Sequence, residues 1–180
     1  MARILLTPHG EVLLRPAAPS DAEAYRELRL EALKNHPTAF GSDFKENLQH
    51  PPEYWQERLK IDDEKEVLYL AEHNGQLVGM TGLYRSLSSK ARHAGTVWGV
   101  YVTDGWRGAH IAEGLIRECL EWARGKDMVI ARLGVAADNR AAIRCYERCG
   151  FITYGIEAKS GFYNGKYIDE CLMALSLEPA

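Results

Sequence analysis

The 180-residue sequence lacks the features that mark membrane, secreted and nucleic-acid-binding proteins. It has no apolar run near the roughly 20 residues that a membrane helix needs, and residues 1–10 lack the apolar core of a signal peptide. The formal net charge of -3 gives no overall attraction to the phosphates of nucleic acid or anionic lipid. We therefore expect a cytoplasmic protein with small-molecule partners, and neither nucleic acid nor a membrane among them.

The cysteines are not arranged to bind metal. The four cysteines form no C-x-x-C pair and have no histidine at metal-ligand spacing, so we expect reduced, mostly buried thiols and no metal. Cys145 and Cys149 lie four residues apart on a predicted helix and would share one face. A regulatory disulfide or a soft-metal site there is the lesser alternative.

The length and composition predict one globular domain over residues 1–180, with 46% hydrophobic and 26% charged residues. The hydrophobic pattern predicts strand, two helices, three strands, helix, strand, helix and two strands, which is a mixed α/β sheet of about seven strands with four helices. Strands are predicted near 11–15, 67–72, 76–83, 96–102, 129–135, 151–156 and 168–177, and helices near 20–35, 52–59, 110–124 and 139–149.

Two local signals are sharper than the rest. Asn74-Gly75 lies between two strand-like runs and is the dipeptide most favoured in a type I′ hairpin turn. Ser20 and Glu23 have the spacing of a capping box and predict the start of the first helix. The segment Lys159–Lys166 contains Asn164-Gly165 and is predicted to be a loop.

A phosphate-binding turn is predicted between residues 100 and 112, where a strand runs through a tight turn straight into a helix. Such a junction presents unpaired backbone N–H groups at the positive end of the helix dipole. Gly108, Ala109 and Ala112 allow a close approach to the ligand, and Arg107 adds a positive charge. Similar turns also occur without a ligand. Neither G-x-G-x-x-G nor G-x-x-x-x-G-K-[ST] is present, which disfavours NAD and ATP.

The residues Arg107–Ala112 resemble the first motif of the GNAT acetyltransferase family, in which Arg or Gln is followed by two residues, Gly, one residue, and Gly or Ala. About thirty residues later, Leu133–Phe151 is similar to the second signature: a strand, an Asn, an Ala, a Tyr and a final Gly-Phe. His110 departs from the first motif, because the family has Gly there. If this position is helical, His is tolerated, and a side chain facing solvent is favoured over a catalytic one.

The resemblance implies the GNAT fold and a single GNAT domain that binds acetyl-CoA where strands 96–102 and 129–135 separate. In this interpretation, freed backbone groups of the first strand hydrogen-bond the pantetheine arm, the turn holds the pyrophosphate, and Asn139 contacts the arm from the far side. The cofactor-binding residues implied are Tyr101, Val102, Arg107, Gly108, Ala109, His110, Ile111, Ala112, Asn139, Ala142 and Tyr146.

The implied reaction is N-acetyl transfer from acetyl-CoA to a primary amine. The amine attacks the thioester carbonyl directly, and a backbone N–H near Val102 stabilises the tetrahedral oxyanion. Tyr146 matches the family tyrosine that protonates the leaving CoA thiolate as a general acid, although a core aromatic is the alternative. For the general base, Glu31, His93, Asp169 and Glu170 are candidates without a preference.

The acceptor is open: a small-molecule amine or a peptide amine fits equally. The pocket could use some of Trp98, Tyr101, Phe162, Tyr163 and Tyr167, and alternation along the strand predicts that Trp98 and Tyr101 face opposite sides. The predicted loop 159–166 is where we expect acceptor choice to be made. A homodimer follows from the resemblance. The alternatives are a non-catalytic acyl-CoA sensor of the same fold and an unrelated nucleotide hydrolase.

Overall fold

The computed structural model describes residues 2–178, which form one sheet of eight strands together with five α-helices. The strands are β1 (Arg3–Thr7), β2 (Gly10–Pro16), β3 (Glu66–His73), β4 (Gln76–Arg85), β5 (Ala94–Val102), β6 (Ile130–Ala136), β7 (Ile152–Tyr163) and β8 (Lys166–Ser176). The helices are α1 (Ala22–Asn35), α2 (Phe44–Leu48), α3 (Pro52–Arg58), α4 (Ile111–Gly125) and α5 (Arg140–Arg148). This architecture confirms the predicted mixed α/β class.

The spatial order of the strands is β1-β2-β3-β4-β5-β6-β8-β7, and every neighbouring pair is antiparallel except β5 and β6. One apolar core joins α4 and α5 to one face of the sheet, and a second joins α1 and α3 to the opposite face. Among residues 2–178, no helix is long and apolar enough to cross a bilayer.

The predicted hairpin is confirmed. His73 pairs with Gln76, so Asn74 and Gly75 are the two turn residues, with φ of 49° and 81°. Both angles lie in the left-handed region that a type I′ turn requires, and Asn and Gly adopt it at low cost. The turn therefore fixes the register of β3 against β4.

The sheet has one strand more than predicted, and the helices number five rather than four. Strand β1 was missed because its apolar residues Ile4, Leu5 and Leu6 are consecutive and do not alternate with polar ones. Ile4 and Leu6 are in fact exposed on this edge strand. Helix α2 has only five residues, and its start is fixed by the side chain of Asp43, which accepts from the N–H groups of Lys45 and Glu46.

Two local predictions were wrong. The capping box of Ser20 and Glu23 does not form, because a 3₁₀ turn over Pro19–Asp21 precedes α1 and the Asp21 carboxylate binds Arg15 and the N–H of Ala18. The segment 159–166 is not a loop, because β7 continues to Tyr163 and only a two-residue turn separates it from β8.

A β-bulge at Gly99 reverses the predicted sidedness of Trp98 and Tyr101. Gly82 pairs with Trp98 and Met80 pairs with Tyr101, so β5 has two residues where β4 has one. Gly99 has a φ of +66°, which suits glycine. The extra residue shifts the alternation, and both aromatic side chains pack on the α1 face. The prediction that they face opposite sides was therefore wrong.

The packing of Trp98 predicts the cost of a substitution at Gly82. A Cβ added to Gly82 would lie 2.3–2.5 Å from atoms of the Trp98 indole, so Gly82→Ala forces this ring to move. We expect the free energy of unfolding to fall by about 1–3 kcal/mol, as for other overpacked cores. Urea denaturation of the purified protein measures this value. Gly125→Ala is the control, because a Cβ there meets nothing within 4 Å; equal midpoints for the two variants would contradict the predicted clash.

Candidate active site

A cleft of about 340 Å³ opens where the two parallel strands separate. Strands β5 and β6 pair only at Ala94 with Ile130, Gly95 with Ala131, and Thr96 with Arg132. Beyond these pairs β5 stays on β4 and β6 stays on β8, so their adjoining edges diverge. The predicted separation of the strands is thus present, and it begins directly after Thr96.

The cleft brings together most of the site residues predicted from the sequence. Only Ala109, which is 6% exposed and packs into the core, is not part of its lining. The predicted residues that line it are Tyr101, Val102, Arg107, Gly108, His110, Ile111, Ala112, Asn139, Ala142 and Tyr146.

The turn before α4 forms a cradle of backbone N–H groups. A 3₁₀ turn over Asp104–Trp106 leads into Gly108, whose φ is +80°. The first backbone N–H of the helix region that has a hydrogen-bond acceptor is that of Gly114, which donates to the carbonyl oxygen of His110. Within residues 2–178, no backbone or side-chain acceptor binds the N–H groups of residues 108–112. A cradle of this kind at a helix N-terminus suits an anion.

His110 does not have the helical backbone conformation that would make a histidine side chain easy to accommodate at this position. It is the N-cap residue of α4 with a φ of +59°, a region that non-glycine residues seldom adopt. Its imidazole is largely exposed, and Nδ1 lies 3.2 Å from Oε1 of Glu113. This contact holds the ring away from the N–H cradle.

Arg107 is tied to its neighbours at the rim of the cleft. Its Nη1 lies 2.9 Å from a carboxylate oxygen of Asp104, and its Nη2 lies 2.7 Å from Nε2 of His36. Its Nε donates to the carbonyl oxygen of Val102 at 3.1 Å. We expected that carbonyl to be free, but it already accepts a hydrogen bond from Arg107. Arg107 therefore supplies positive charge near the cradle and also removes one backbone acceptor of β5 from use by a ligand.

Asn139 and Tyr146 project from α5 on the far wall of the cleft. The side-chain oxygen of Asn139 accepts from the N–H of Ala142 and caps the helix, which leaves only its amide NH₂ free to donate. Tyr146 is 7% exposed and packs edge-on against Phe151, with the ring centroids 6.3 Å apart. Burial raises the pKa of the Tyr146 hydroxyl above its ordinary value, which already lies well above neutral pH.

A buried carboxylate that sequence reasoning missed links the two helices. Glu113 is 5% exposed and accepts from Nε and Nη2 of Arg148 at 2.8 and 2.6 Å. Burial by itself would raise the pKa of Glu113, but the bonds from Arg148 and His110 outweigh it and hold the pKa below its usual range. The spacing of His110 and Glu113 was visible in the sequence, whereas no local pattern could point to Arg148, 35 residues away.

On the α1 side, Tyr101 connects the cleft to an acidic residue. Its hydroxyl donates to Oε1 of Glu31 at 2.7 Å, and burial together with this bond raises the pKa of Tyr101. His93, Asp169 and Glu170 do not line the cleft, and His93 lies near a separate polar depression with Arg85 and Lys126. Of the four proposed bases, Glu31 alone is bonded to a residue of the cleft wall.

The other expected pocket aromatics lie away from the cleft. Phe162 and Tyr167 contact each other near the β7–β8 turn, with ring centroids 5.1 Å apart, and both are about two-thirds exposed. Phe40 and His36 were missed, although both line the cleft and pack near the Tyr101 ring. They belong to the irregular segment after α1, where the sequence has no periodic signal.

The bonds of Glu113 predict a pH-dependent contribution to stability. Because its pKa in the folded chain lies below the ordinary 4.5, the ionised carboxylate stabilises the fold above about that pH, and this contribution is lost as the pH falls through the lowered pKa. We expect Glu113→Gln to lower the free energy of unfolding by about 1.5–3 kcal/mol at pH 7 and by less in acid. Denaturant titrations at several pH values measure this difference. Glu121→Gln on the exposed face of α4 is the control, and a pH-independent loss in Glu113→Gln would contradict the assignment.

Comparison with known proteins agrees with this geometry. The L-amino acid N-acetyltransferase AaaT of Escherichia coli is 29% identical over 170 residues, which are 92% of this chain and 98% of that protein. A GNAT-family acetyltransferase from Streptococcus pneumoniae superposes with a TM-score of 0.81 at 24% identity, covering 92% of this chain and 98% of that one.

An acetyltransferase from Salmonella typhimurium, solved with its cofactor acetyl-CoA, has the same fold with a TM-score of 0.76 at 20% identity, covering 94% of this chain and 95% of that one. The family model described as the acetyltransferase (GNAT) family matches residues 24–151, which include the separated strands, the N–H cradle and Tyr146. The chain therefore belongs to the GNAT family of acetyltransferases.

Proposed function

We propose that this enzyme transfers the acetyl group of acetyl-CoA to a primary amine by direct attack, with Tyr146 as the general acid. The observation that carries the proposal is the N–H cradle of residues 108–112 at the end of the diverging strand β5, facing Tyr146 across one cleft. The family assignment supports acetyl transfer as the chemistry. The choice of a primary amine and the role of Tyr146 are our inferences from the family resemblance.

The residues present fit a diphosphate-bearing carrier. The unpaired N–H groups of Gly108 and the following residues would hold the pyrophosphate, and the start of α4 adds the positive end of its dipole. The edge of β5 at Tyr101 and Val102 would lie along the pantetheine arm, opposite the free amide NH₂ of Asn139. The Val102 carbonyl is used by Arg107, so this strand would contribute mainly its N–H groups.

The reaction needs a hydrogen-bond donor for the oxyanion and an acid for the leaving thiolate. A backbone N–H of β5 near Val102 would donate to the oxygen that gains charge when the amine attacks. The Tyr146 hydroxyl would give its proton to the sulfur as the carbon–sulfur bond breaks. A tyrosine hydroxyl is protonated at neutral pH, so Tyr146 has a proton to give.

The incoming amine must first lose a proton, and the contact of Tyr101 with Glu31 supports a route for it. Glu31 is exposed, so a proton reaching its carboxylate can leave to solvent. The acceptor itself is not specified by these contacts. One relative is named for L-amino acids, which favours a small-molecule amine over a peptide. The homodimer and the cytoplasmic location stay predictions.

Binding of acetyl-CoA tests the cradle. We expect acetyl-CoA to stabilise the chain against heat, by about 2.7 kcal/mol at one hundred times its dissociation constant. Acetyl-pantetheine lacks the pyrophosphate and should bind at least about tenfold more weakly, since it loses charge-assisted hydrogen bonds. Calorimetry measures both constants. ATP is the control ligand, and a shift with ATP but none with acetyl-CoA would favour a nucleotide enzyme instead.

The Tyr146→Phe variant tests the general acid. We expect kcat to fall by about 100-fold or more, because the phenylalanine cannot protonate the thiolate, while the dissociation constant of acetyl-CoA stays within about threefold. Release of free thiol measures turnover, and calorimetry measures binding.

Tyr154→Phe is the matched control, because Tyr154 is 58% exposed on β7. Unchanged kcat in Tyr146→Phe would refute the assigned role. A wild-type chain that binds acetyl-CoA but acetylates no amine in a broad panel would establish the non-catalytic sensor.

A further inference from the structure

A buried arginine without a counter-ion lies on the α1 side of β5. Arg29 is 8% exposed, and its Nη1 is buried with no hydrogen-bond partner among residues 2–178. Its only polar contact there is a bond from Nη2 to the hydroxyl of Ser42 at 3.2 Å, and its guanidinium stacks on Phe40 at 5.0 Å. Burying an unpaired charge costs free energy, so the position of Arg29 calls for a compensating interaction.

Two other sheltered arginines are paired with carboxylates, whereas a third, Arg85, donates to the carbonyl oxygen of Lys126 and also has an unpartnered Nε among residues 2–178. Arg15 binds the carboxylates of Asp21 and Glu72, and these bonds raise its pKa. Arg58 binds Glu66 at 3.2 Å. Arg29 has no carboxylate within 4 Å in the described residues, and burial lowers its pKa, although a guanidinium remains protonated at neutral pH. Among the described residues, Arg29 is the one buried arginine, and it has neither a carboxylate nor a backbone carbonyl as a partner, which points to an anion from outside the chain.

The unpaired Nη1 of Arg29 lies close to β5. It lies 3.7 Å from the position that a Cβ on Gly99 would occupy, at the bulge of β5. Val100 and Tyr101 follow and both line the cleft, roughly 3 and 7 Å further along the strand at its usual rise. Phe40 lies between Arg29 and the cleft, because its ring contacts the guanidinium of Arg29 and the ring of Tyr101.

A second unused donor lies beside the same bulge. The indole Nε1 of Trp98 is buried and has no acceptor among residues 2–178. Trp98 immediately precedes Gly99 on the same face of β5, and its indole lies over Gly82 of the neighbouring strand β4. The α1 face of β5 thus has two buried donors without acceptors, and an oxyanion would supply an acceptor for the guanidinium of Arg29.

The charge balance favours a carboxylate over a phosphate. Arg58, the other cation near Trp98, is already paired with Glu66, which leaves the single charge of Arg29 unpaired. A carboxylate carries one negative charge and takes two parallel bonds from a guanidinium. A phosphate monoester carries up to two charges and would leave the buried region negative.

We infer that Arg29 binds the carboxylate of the acceptor, so that the acceptor is an amino acid whose amine lies close to its carboxylate. The inference rests on the proposed acetyl transfer and names the class of amine. It excludes polyamines and protein N-termini, which have no carboxylate next to the reactive nitrogen. The short distance along β5 between Gly99 and the cleft limits the separation of the two groups.

Substrate pairs that differ only in the carboxylate test this inference. The twenty common L-amino acids are assayed by thiol release from acetyl-CoA, and the best is compared with its decarboxylated amine and its amide. We expect kcat/KM of the amino acid to exceed that of both by at least about 100-fold, the usual scale for a buried charge pair. Equal values for the amino acid and the amine would overturn the inference and leave the proposed acetyl transfer intact.

The Arg29→Met variant removes the charge and keeps a long apolar side chain. We expect kcat/KM for the amino acid to fall to the level of its amine, while that for the amine and the dissociation constant of acetyl-CoA change less than about threefold. Arg29→Lys should restore part of the preference. Arg26→Met, which loses a partly exposed arginine that is paired with Glu23 on the same helix, should behave as wild type. An equal loss for both substrates in Arg29→Met would overturn the inference.

Two readouts do not depend on turnover. Calorimetry of the same amino acids with the CoA-saturated protein should detect binding that Arg29→Met loses, and this result would support the inference even if no acetyl transfer occurred. Binding of none of the twenty would overturn it. Without an amino acid, Arg29→Met should melt no lower than wild type, because an uncompensated charge has been removed. A melting temperature well below wild type would mean that the chain itself stabilises the guanidinium, which also overturns the inference.

Discussion

The separation of β5 from β6 after Thr96 is the constraint on which the site depends. Three parallel pairs hold the strands together, and beyond them each strand keeps its other neighbour, β4 or β8. Backbone groups on the diverging edges lose the partners that a continuous ladder would give them. A ligand can take the place of those partners, and open α/β sheets commonly bind ligands at such a point, outside the carboxyl ends of the strands.

The helices that follow the two strands complete the cleft. Both α4 and α5 begin at the same end of the sheet, because each follows the carboxyl end of one of the two parallel strands. The start of α4 supplies unpaired N–H groups, and α5 supplies Tyr146. The bonds from Arg148 to Glu113 hold these two helices at one spacing, so the far wall keeps its place relative to the cradle.

The bulge at Gly99 determines which side chains of β5 face α1. The extra residue turns Trp98 and Tyr101 to the α1 face, where Phe40, His36 and Arg29 gather. Val97 and Val102 keep their contacts with the α4 core. The edge of β5 therefore faces the cradle, and its bulged face packs against the buried, unpaired guanidinium of Arg29.

The sequence by itself determined the elements and the chemistry that depends on neighbouring residues. Asn74-Gly75 fixed a hairpin, residues 107–112 predicted an N–H cradle, and the spacing from Asn139 to Phe151 carried the family resemblance, because each is a local pattern. Only the tertiary structure decided the contacts between distant segments. The bulge at Gly99, the bond of Arg148 to Glu113 and the unpaired state of Arg29 depend on which elements pack together, and no local pattern encodes that packing.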